Sequence, residues 1–520
     1  MNVSSRHTRR RLNGIRFDSL VVIGSLVAAA CAGGPAEREE GPEPAAFQPD
    51  FAEVLCPHSV TRGIENEVTC GYLTVPEDRS NPDGRTIQVF VTRIEPPAGD
   101  ISPDPMFMPG LDLGWTPYYR GFAPMAERTH RQVIIMDPRG LGHSEPRLSC
   151  PETHHLASPS LGVRLGTPAM EALFLEAVQA CRDRLDAQGV DVGAYNLAET
   201  AADAEDLRTA LGIETWNLIT TSTTSSVSFE IVRRYADHVR AVIYDSPDAP
   251  QVDLLTEAIL GTRYSVEQVA NACRADPPCG RAFPHIRAVW DRALGRLDER
   301  PSRLRVQGLR IVVDAATTVR VMRGTLTWEE MRMPKNVYGL RDHLFGEGPY
   351  PWRAEWSSDP ILSTVGHGYV VPHAPTTRFA YGSFFSIVCH DELPFVDRVA
   401  LGQAARGEPW YVEAYVHSLY FRVCDRWDAG SADADPHDPV VSDIPTLILH
   451  GRFDPYSTLP LIEQAATTLS NSWVVEFPNW GHNVLGSECG PEIRNVWIDD
   501  PTSPPDIGCV ADMPEIDWRK

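Results

Sequence analysis

The sequence predicts an α/β fold: a mostly parallel central sheet with a helix-rich segment inserted between its strands. Three observations carry this expectation. Between residues 51 and 255, short apolar runs alternate with helical stretches, the pattern of strands joined by right-handed crossovers. Between 256 and 430 that rhythm breaks into helical sequence heavy in Trp, Arg and Pro. From 431 to 520 strand-like runs return, beginning with Ile444-Pro445-Thr446-Leu447-Ile448-Leu449.

The elements follow in order. Arg6 to Arg16 is basic, and Leu20 to Ala30 is an apolar run too short to span a bilayer comfortably. Residues 1–31 therefore read as an export signal. Cys31 follows Ala28-Ala29-Ala30, small residues as at a lipoprotein cleavage site, and Cys31 is the expected lipidation position. Simple cleavage after the alanines is the alternative, and Arg9-Arg10-Arg11 is a weak twin-arginine match. Residues 32–50, rich in Gly, Pro, Ala and Glu, read as a tether. Thr86–Arg93, Met106–Met108, Gln132–Met136, Trp216–Ile219 and Ala241–Tyr244 read as strands, and Thr200–Leu211 as a helix between them. The expected parts are thus a first core segment 51–255, a lid 256–430 and a closing core segment 431–520.

Composition narrows the function. The chain has 520 residues, enough for a large core, and a net charge of −23. That charge argues against nucleic acid as a partner, since phosphate binding needs a basic surface, and against docking by charge to anionic lipid. Membrane contact is expected only through a lipid on Cys31. No Cys/His cluster has metal-ligand spacing, and Gly140-Leu141-Gly142-His143-Ser144 is not a dinucleotide fingerprint. No metal and no cofactor are expected, and the chain is expected to act as a monomer. Eleven cysteines less Cys31 leave an even ten, in keeping with an extracytoplasmic, oxidising compartment.

Thr220-Thr221-Ser222-Thr223-Thr224 lies between the apolar run Trp216–Ile219 and a helical stretch from Ser225 to Tyr235. Strand, sharp turn, serine, helix is the setting that lifts a nucleophilic serine above a sheet edge, usually written G-x-S-x-G. Downstream, Asp454 sits in the turn that follows the 444–449 run. His482 comes 28 residues later in Phe477-Pro478-Asn479-Trp480-Gly481-His482. Serine is a weak nucleophile that needs a base; histidine supplies it and a carboxylate orients it. Each residue alone is commonly a surface Ser, a turn Asp or a loop His. The chain order Ser222, Asp454, His482 is that of α/β-hydrolases.

Longer segments carry a family resemblance. Cys70-Gly71-Tyr72-Leu73-Thr74-Val75-Pro76-Glu77-Asp78, the D-x-R-G-x-G-x-S run from Asp137 to Ser144, Cys150-Pro151-Glu152, Cys273 to Cys279, Ile387 to Glu392 and the run from Val440 to Cys509 resemble bacterial secreted α/β-hydrolases of the tripeptidyl-aminopeptidase-like (TAP-like) group, relatives of prolyl aminopeptidases. The resemblance covers roughly 51–512. Asn217 and Arg233 keep the family's spacing across the elbow without a gap, which puts Ser222 on the nucleophile. The resemblance implies an α/β-hydrolase fold and an exo-peptidase acting on peptides or small amides and esters. It also implies disulfides Cys56–Cys70, Cys150–Cys181, Cys273–Cys279, Cys389–Cys424 and Cys489–Cys509, a connectivity that sequence alone does not fix. It implies that Asp391 and Glu392 hold a substrate's free amine, although a solvated acidic turn is an equally good reading.

Two departures from the family pattern bear on activity. Thr220 and Thr224 are β-branched where small residues suit the crowded elbow, and the added strain is of order 1–3 kcal/mol. The oxyanion loop, G-G-P-G in the family, is here Pro109-Gly110-Leu111-Asp112. The expected donors are the N–H of Thr223 and one of Gly110 or Leu111, and Asp112 would set a carboxylate near the developing charge. Losing one donor costs about a hundred- to thousandfold in rate. A catalytically impaired relative serving as a binding protein is therefore the alternative to a working hydrolase.

Overall fold

The computed structural model describes residues 47–110, 119–156, 168–306, 309–328, 330–349, 351, 380–415 and 418–518. The chain divides into Met1–Phe47 and a unit Gln48–Lys520; the elements below belong to the second. The expected signal segment with Cys31, all but the end of the expected tether, and Leu111 and Asp112 of the expected oxyanion loop lie outside the described residues.

The strands are β1 (Asp50–Val54), β2 (Val68–Pro76), β3 (Thr86–Ile94), β4 (Met106–Met108), β5 (Val133–Met136), β6 (Trp216–Thr221), β7 (Val239–Asp245), β8 (Ser302–Val306), β9 (Leu309–Val313), β10 (Thr446–Gly451) and β11 (Ser472–Phe477). Nine of them form one sheet in the order β1-β2-β3-β5-β4-β6-β7-β10-β11. Pairing is antiparallel from β1 to β5 and parallel from β5 to β11. The interior strands β4, β5, β6 and β10 read as largely apolar runs because both of their faces are covered. Val133 to Met136 are all buried, as are Trp216 to Thr220.

Alternation along each strand feeds two cores, since successive side chains point to opposite faces. Leu218, Val242 and Ile448 face a cluster completed by Ala201, Ala204 and Leu207 of the helix Leu197–Ala210 and by Phe229 and Ile231 of the helix Ser225–Tyr235. Ile219, Ile243 and Leu447 face the other, with Ala126 of the helix Tyr119–Thr129 and Ile493 of the helix Cys489–Trp497. The Trp216 ring stacks on Phe107 with centroids 3.8 Å apart, which seats β6 against β4.

Between β7 and β10 the described residues from Leu254 to Trp427 are mainly helical. These helices have a core of their own, in which Trp290 donates to the Tyr411 hydroxyl at 3.1 Å. The β8–β9 hairpin within this segment and the edge strand β1 are elements that the apolar patterning does not announce. The 3-residue β4 and the other expected strands fall where the runs lie, and β6 extends two residues beyond Ile219 to the threonines of the elbow.

Disulfides join Cys56–Cys70, Cys150–Cys181, Cys273–Cys279, Cys389–Cys424 and Cys489–Cys509. Among the described residues, Cys150, Glu152 and Cys181 form a group with metal-ligand atom types, but both of its sulfurs are bonded to each other.

Candidate active site

β6, β7, β10 and β11 run parallel, so their exits lie at one edge of the sheet. Ser222, Ser246, Asp454 and His482 all follow those exits, where ligand sites of open α/β sheets gather. Ser222 is half-buried and has φ 56°. A left-handed backbone is costly for a residue with a Cβ, roughly 1–3 kcal/mol, and persists only where neighbours hold it.

The holding group is Thr224. Its Oγ1 accepts the Thr221 N–H at 3.1 Å and donates to the Thr221 carbonyl at 2.7 Å. A hydroxyl thus closes the turn around Ser222. The expectation that the threonines only crowd the elbow needs revision at this position, because the hydroxyl of Thr224 supplies two hydrogen bonds that glycine cannot. Thr220 is fully buried in β6 and its hydroxyl has no hydrogen-bond partner. Thr223 is the middle residue of the turn Ser222–Thr224 that leads into the helix Ser225–Tyr235. Gly110 lies near Thr224; a Cβ there would sit 2.9 Å from Pro138 and 3.9 Å from Thr224 Cγ2.

His482 and Asp454 meet directly, with Nδ1 2.8 Å from Oδ2. Asp454 is fully buried, and its other oxygen accepts the Tyr456 and Ser457 N–H groups at 2.8 and 3.2 Å. Two glycines allow the approach of the loops: a Cβ on Gly451 would lie 1.9 Å from the Gly481 carbonyl. Burial alone would raise the Asp454 carboxyl, but the His482 ring and these N–H groups bring it below its ordinary value. Burial would depress His482, yet Asp454, then Asp245 and Asp248, hold its pKa above the ordinary value. This is the electrostatic arrangement of a general base that becomes an imidazolium in mid-reaction.

The two acidic residues proposed for amine binding diverge. Asp391 is buried, accepts the Leu197 N–H at 2.9 Å and lies 2.7 Å from His390 Nδ1. It is committed to starting the helix Leu197–Ala210. Glu392 accepts the Leu254 N–H at 3.1 Å and pairs with His437 at 3.1 Å. It lines a cavity with Leu197, Phe229, Asp248, Leu254 and Glu257. Burial pushes Asp248 up to about 7 and Glu257 up to about 8, the latter despite its pairing with Arg323 at 3.1 Å. The Arg323 guanidinium lies 3.9 Å from the Tyr456 ring centroid, and Tyr456 packs on His482 at 4.6 Å. Asp248, Glu257, Arg323 and Tyr456 escaped the sequence reading. The one local signal was the acidic run Asp245-Ser246-Pro247-Asp248 at a strand exit.

Comparison with known proteins agrees with this architecture. The sequence model for the "alpha/beta hydrolase fold" matches residues 107–274, and that for "TAP-like protein" matches 410–509. The tripeptidyl aminopeptidase of Streptomyces lividans is 27% identical over 203 residues, 36% of this chain and 37% of that protein. Carboxylesterase B of Mycobacterium tuberculosis is 25% identical over 299 residues, covering 52% and 55%. Serine protease Hip1 of Mycobacterium bovis is 26% identical over 239, covering 44% and 45%. The matches thus span about a third to a half of the length of these relatives. Among solved structures, the proline iminopeptidase of Mycobacterium smegmatis aligns over 83% of this chain and 98% of its own, at 15% identity and a TM-score of 0.35. On its sheet order and its matched segments, the chain has the α/β-hydrolase fold and is similar to the TAP-like group.

Proposed function

We propose that the protein is an extracytoplasmic serine hydrolase that cleaves peptides or small amides and esters through an acyl-enzyme on Ser222, acting as an exo-peptidase. The observation that carries this is the left-handed Ser222 at the exit of β6, together with a formed His482–Asp454 pair at the exits of β11 and β10. A left-handed serine in the turn between a strand and a helix has the backbone setting of a nucleophile elbow, where such strain has a catalytic use. In the reaction, Ser222 Oγ attacks the carbonyl carbon and His482 Nε2 takes its proton, later delivering it to the leaving amine or alcohol. Water then repeats the sequence on the acyl ester. Asp454 keeps the proton on Nδ1 and steadies the imidazolium. The Thr223 N–H, with that of Gly110 or Leu111, receives the oxyanion.

Substrate choice rests on the cavity bounded by Asp248, Glu257 and Glu392. Carboxylates there favour a substrate with a free α-amine, with Glu392 the better placed of the two residues singled out in the sequence. Export is supported by five disulfides. No helix among the described residues is long and apolar enough to cross a membrane; a lipid on Cys31 is the membrane attachment proposed here. The test is turnover of aminoacyl and tripeptidyl anilides and of short esters. The wild type should hydrolyse them, and Ser222→Ala and His482→Ala should each reduce kcat by about a thousandfold or more. An inert wild type with retained peptide binding would instead establish a binding protein.

A further inference from the structure

The residues that follow His482 are gripped by a neighbouring strand. Asp245 is the last residue of β7 and is fully buried. In the sheet register it lies between Thr221, which precedes the nucleophile, and Leu449 of β10. Its Oδ1 accepts the Val484 N–H at 2.7 Å and its Oδ2 the Leu485 N–H at 3.1 Å. The next residue, Ser246, accepts the Asn483 N–H at 3.0 Å and turns its own hydroxyl to Asp245 Oδ1 at 3.3 Å. Three successive N–H groups immediately after His482 are therefore received by two side chains. Ser246 has φ 51° and Asn483 φ 62°, so left-handed backbone sits on both sides of the grip. On the other side of His482, the Arg452 and Phe453 N–H groups bond the Phe477 and Trp480 carbonyls at 3.0 and 3.1 Å. β10 holds the loop before His482, and β7 holds it after.

We propose that Asp245, assisted by Ser246, is a positioning residue for the general base: it fixes the loop that carries His482 and adds a second buried carboxylate to the field around the imidazole. The inference rests on the serine-hydrolase reading and goes beyond it, since Asp454 alone orients the ring in that reading. Charge and geometry point the same way. The groups facing His482 are Asp454 from the β10 exit and Asp245 and Asp248 from the β7 exit. Asp245 in turn faces His482, Asp454 and the buried Arg494 of the helix Cys489–Trp497. Burial pushes Asp245 up to about 6 against the pull of its N–H partners and His482. Its charge is therefore present above about pH 6, where a working base must be neutral but ready to become a cation. A base displaced by about 1 Å typically costs on the order of a hundredfold in rate.

The experiment compares wild type, Asp245→Asn and Ser246→Gly by the pH dependence of kcat/KM. It also follows the downfield Nδ1-proton resonance of His482, which reports the Asp454–His482 pair without requiring turnover. Asp245→Asn loses the charge and one acceptor. It should lower kcat/KM by about 10- to 100-fold. It should also move the acid limb to lower pH by about 0.5–1 unit, because removing a nearby negative charge makes His482 easier to deprotonate. Ser246→Gly tolerates the left-handed backbone and removes one hydroxyl, which accepts the Asn483 N–H and donates to Asp245, without removing a charge. Its kcat should fall about threefold to tenfold at unchanged KM, with the acid limb in place. Loss of activity in Asp245→Asn with the acid limb and the Nδ1 resonance both unmoved would overturn the proposal, as would full activity in that variant. If Asp245→Asn does not fold, Ser246→Gly decides: an unchanged kcat overturns the proposal, and the stated fall supports it. A wild type that turns over no substrate but shows the Asp454–His482 resonance, shifted in Asp245→Asn, would reject the hydrolase reading and keep the positioning role.

Discussion

Thr224 and Thr220 occupy equivalent places on either side of Ser222 in the sequence and opposite ones in energy. The Thr224 hydroxyl closes the turn through two hydrogen bonds. Thr224→Val should lower kcat about tenfold or more by loosening the strained serine, while Thr224→Ser should retain most of it; steady-state kinetics with one ester and one peptide would show the difference. Replacing this residue by glycine should also lower activity, the reverse of what crowding alone predicts. The Thr220 hydroxyl is buried without a partner. Thr220→Val keeps the shape and removes the orphan group, so it should stabilise the fold by about 1 kcal/mol, seen as a rise in Tm of roughly 1–3 °C. At this scale the sequence displays residue types but not their partners. The order Ser222, Asp454, His482 was readable because each follows an apolar run that must be a strand. The Thr224 clamp was not, because T-T-S-T-T says only that a Cβ is present where none is usual. Asp391 and Glu392 show the same limit: neighbours in sequence, they diverge because Asp391 meets the Leu197 N–H while Glu392 meets His437 and the cavity.

Among the elements, the helical segment between β7 and β10 reaches the site along two routes. Ser265 of the helix Leu254–Ala275 donates to the Asp454 carbonyl at 2.7 Å. Arg323 of the helix Ala315–Trp328 links Glu257 to Tyr456, which packs on His482. The raised values of about 7 for Asp248 and about 8 for Glu257 make this region pH-sensitive. Both groups are protonated in acid and gain charge as pH rises through those values. KM for a peptide with a free N-terminus should therefore fall between about pH 6 and 8, while KM for its N-acetylated analogue should stay flat. Asp248→Asn should flatten the first profile. The stability sign is the opposite. Both groups have a folded pKa above the unfolded one near 4, so their contribution favours folding in acid and is lost as pH rises through their folded values. Helix and strand existence was legible from apolar spacing across much of the core. The hairpin β8–β9 and the edge strand β1 were not, since each depends on pairing with a partner rather than on burying a periodic face.

The whole molecule combines a large sheet, a separately packed helical segment and crosslinks in both. Cys389–Cys424 closes a separation of 35 residues within the helical segment. Replacing both cysteines by serine should cost about 2–4 kcal/mol, visible as a lower urea midpoint, with the Asp454–His482 pair left in place. A net charge of −23 opposes polyanionic partners. The central claim, that strand exits of this sheet assemble a working nucleophile at Ser222, is tested most directly by a biotinylated fluorophosphonate followed by peptide mapping of the labelled chain. The account predicts one adduct, on Ser222, formed by wild type, slowed at least a hundredfold in His482→Ala, and absent in Ser222→Ala. An unlabelled Ser222 in correctly folded wild-type protein, or an adduct that persists in Ser222→Ala at the wild-type rate, would contradict it.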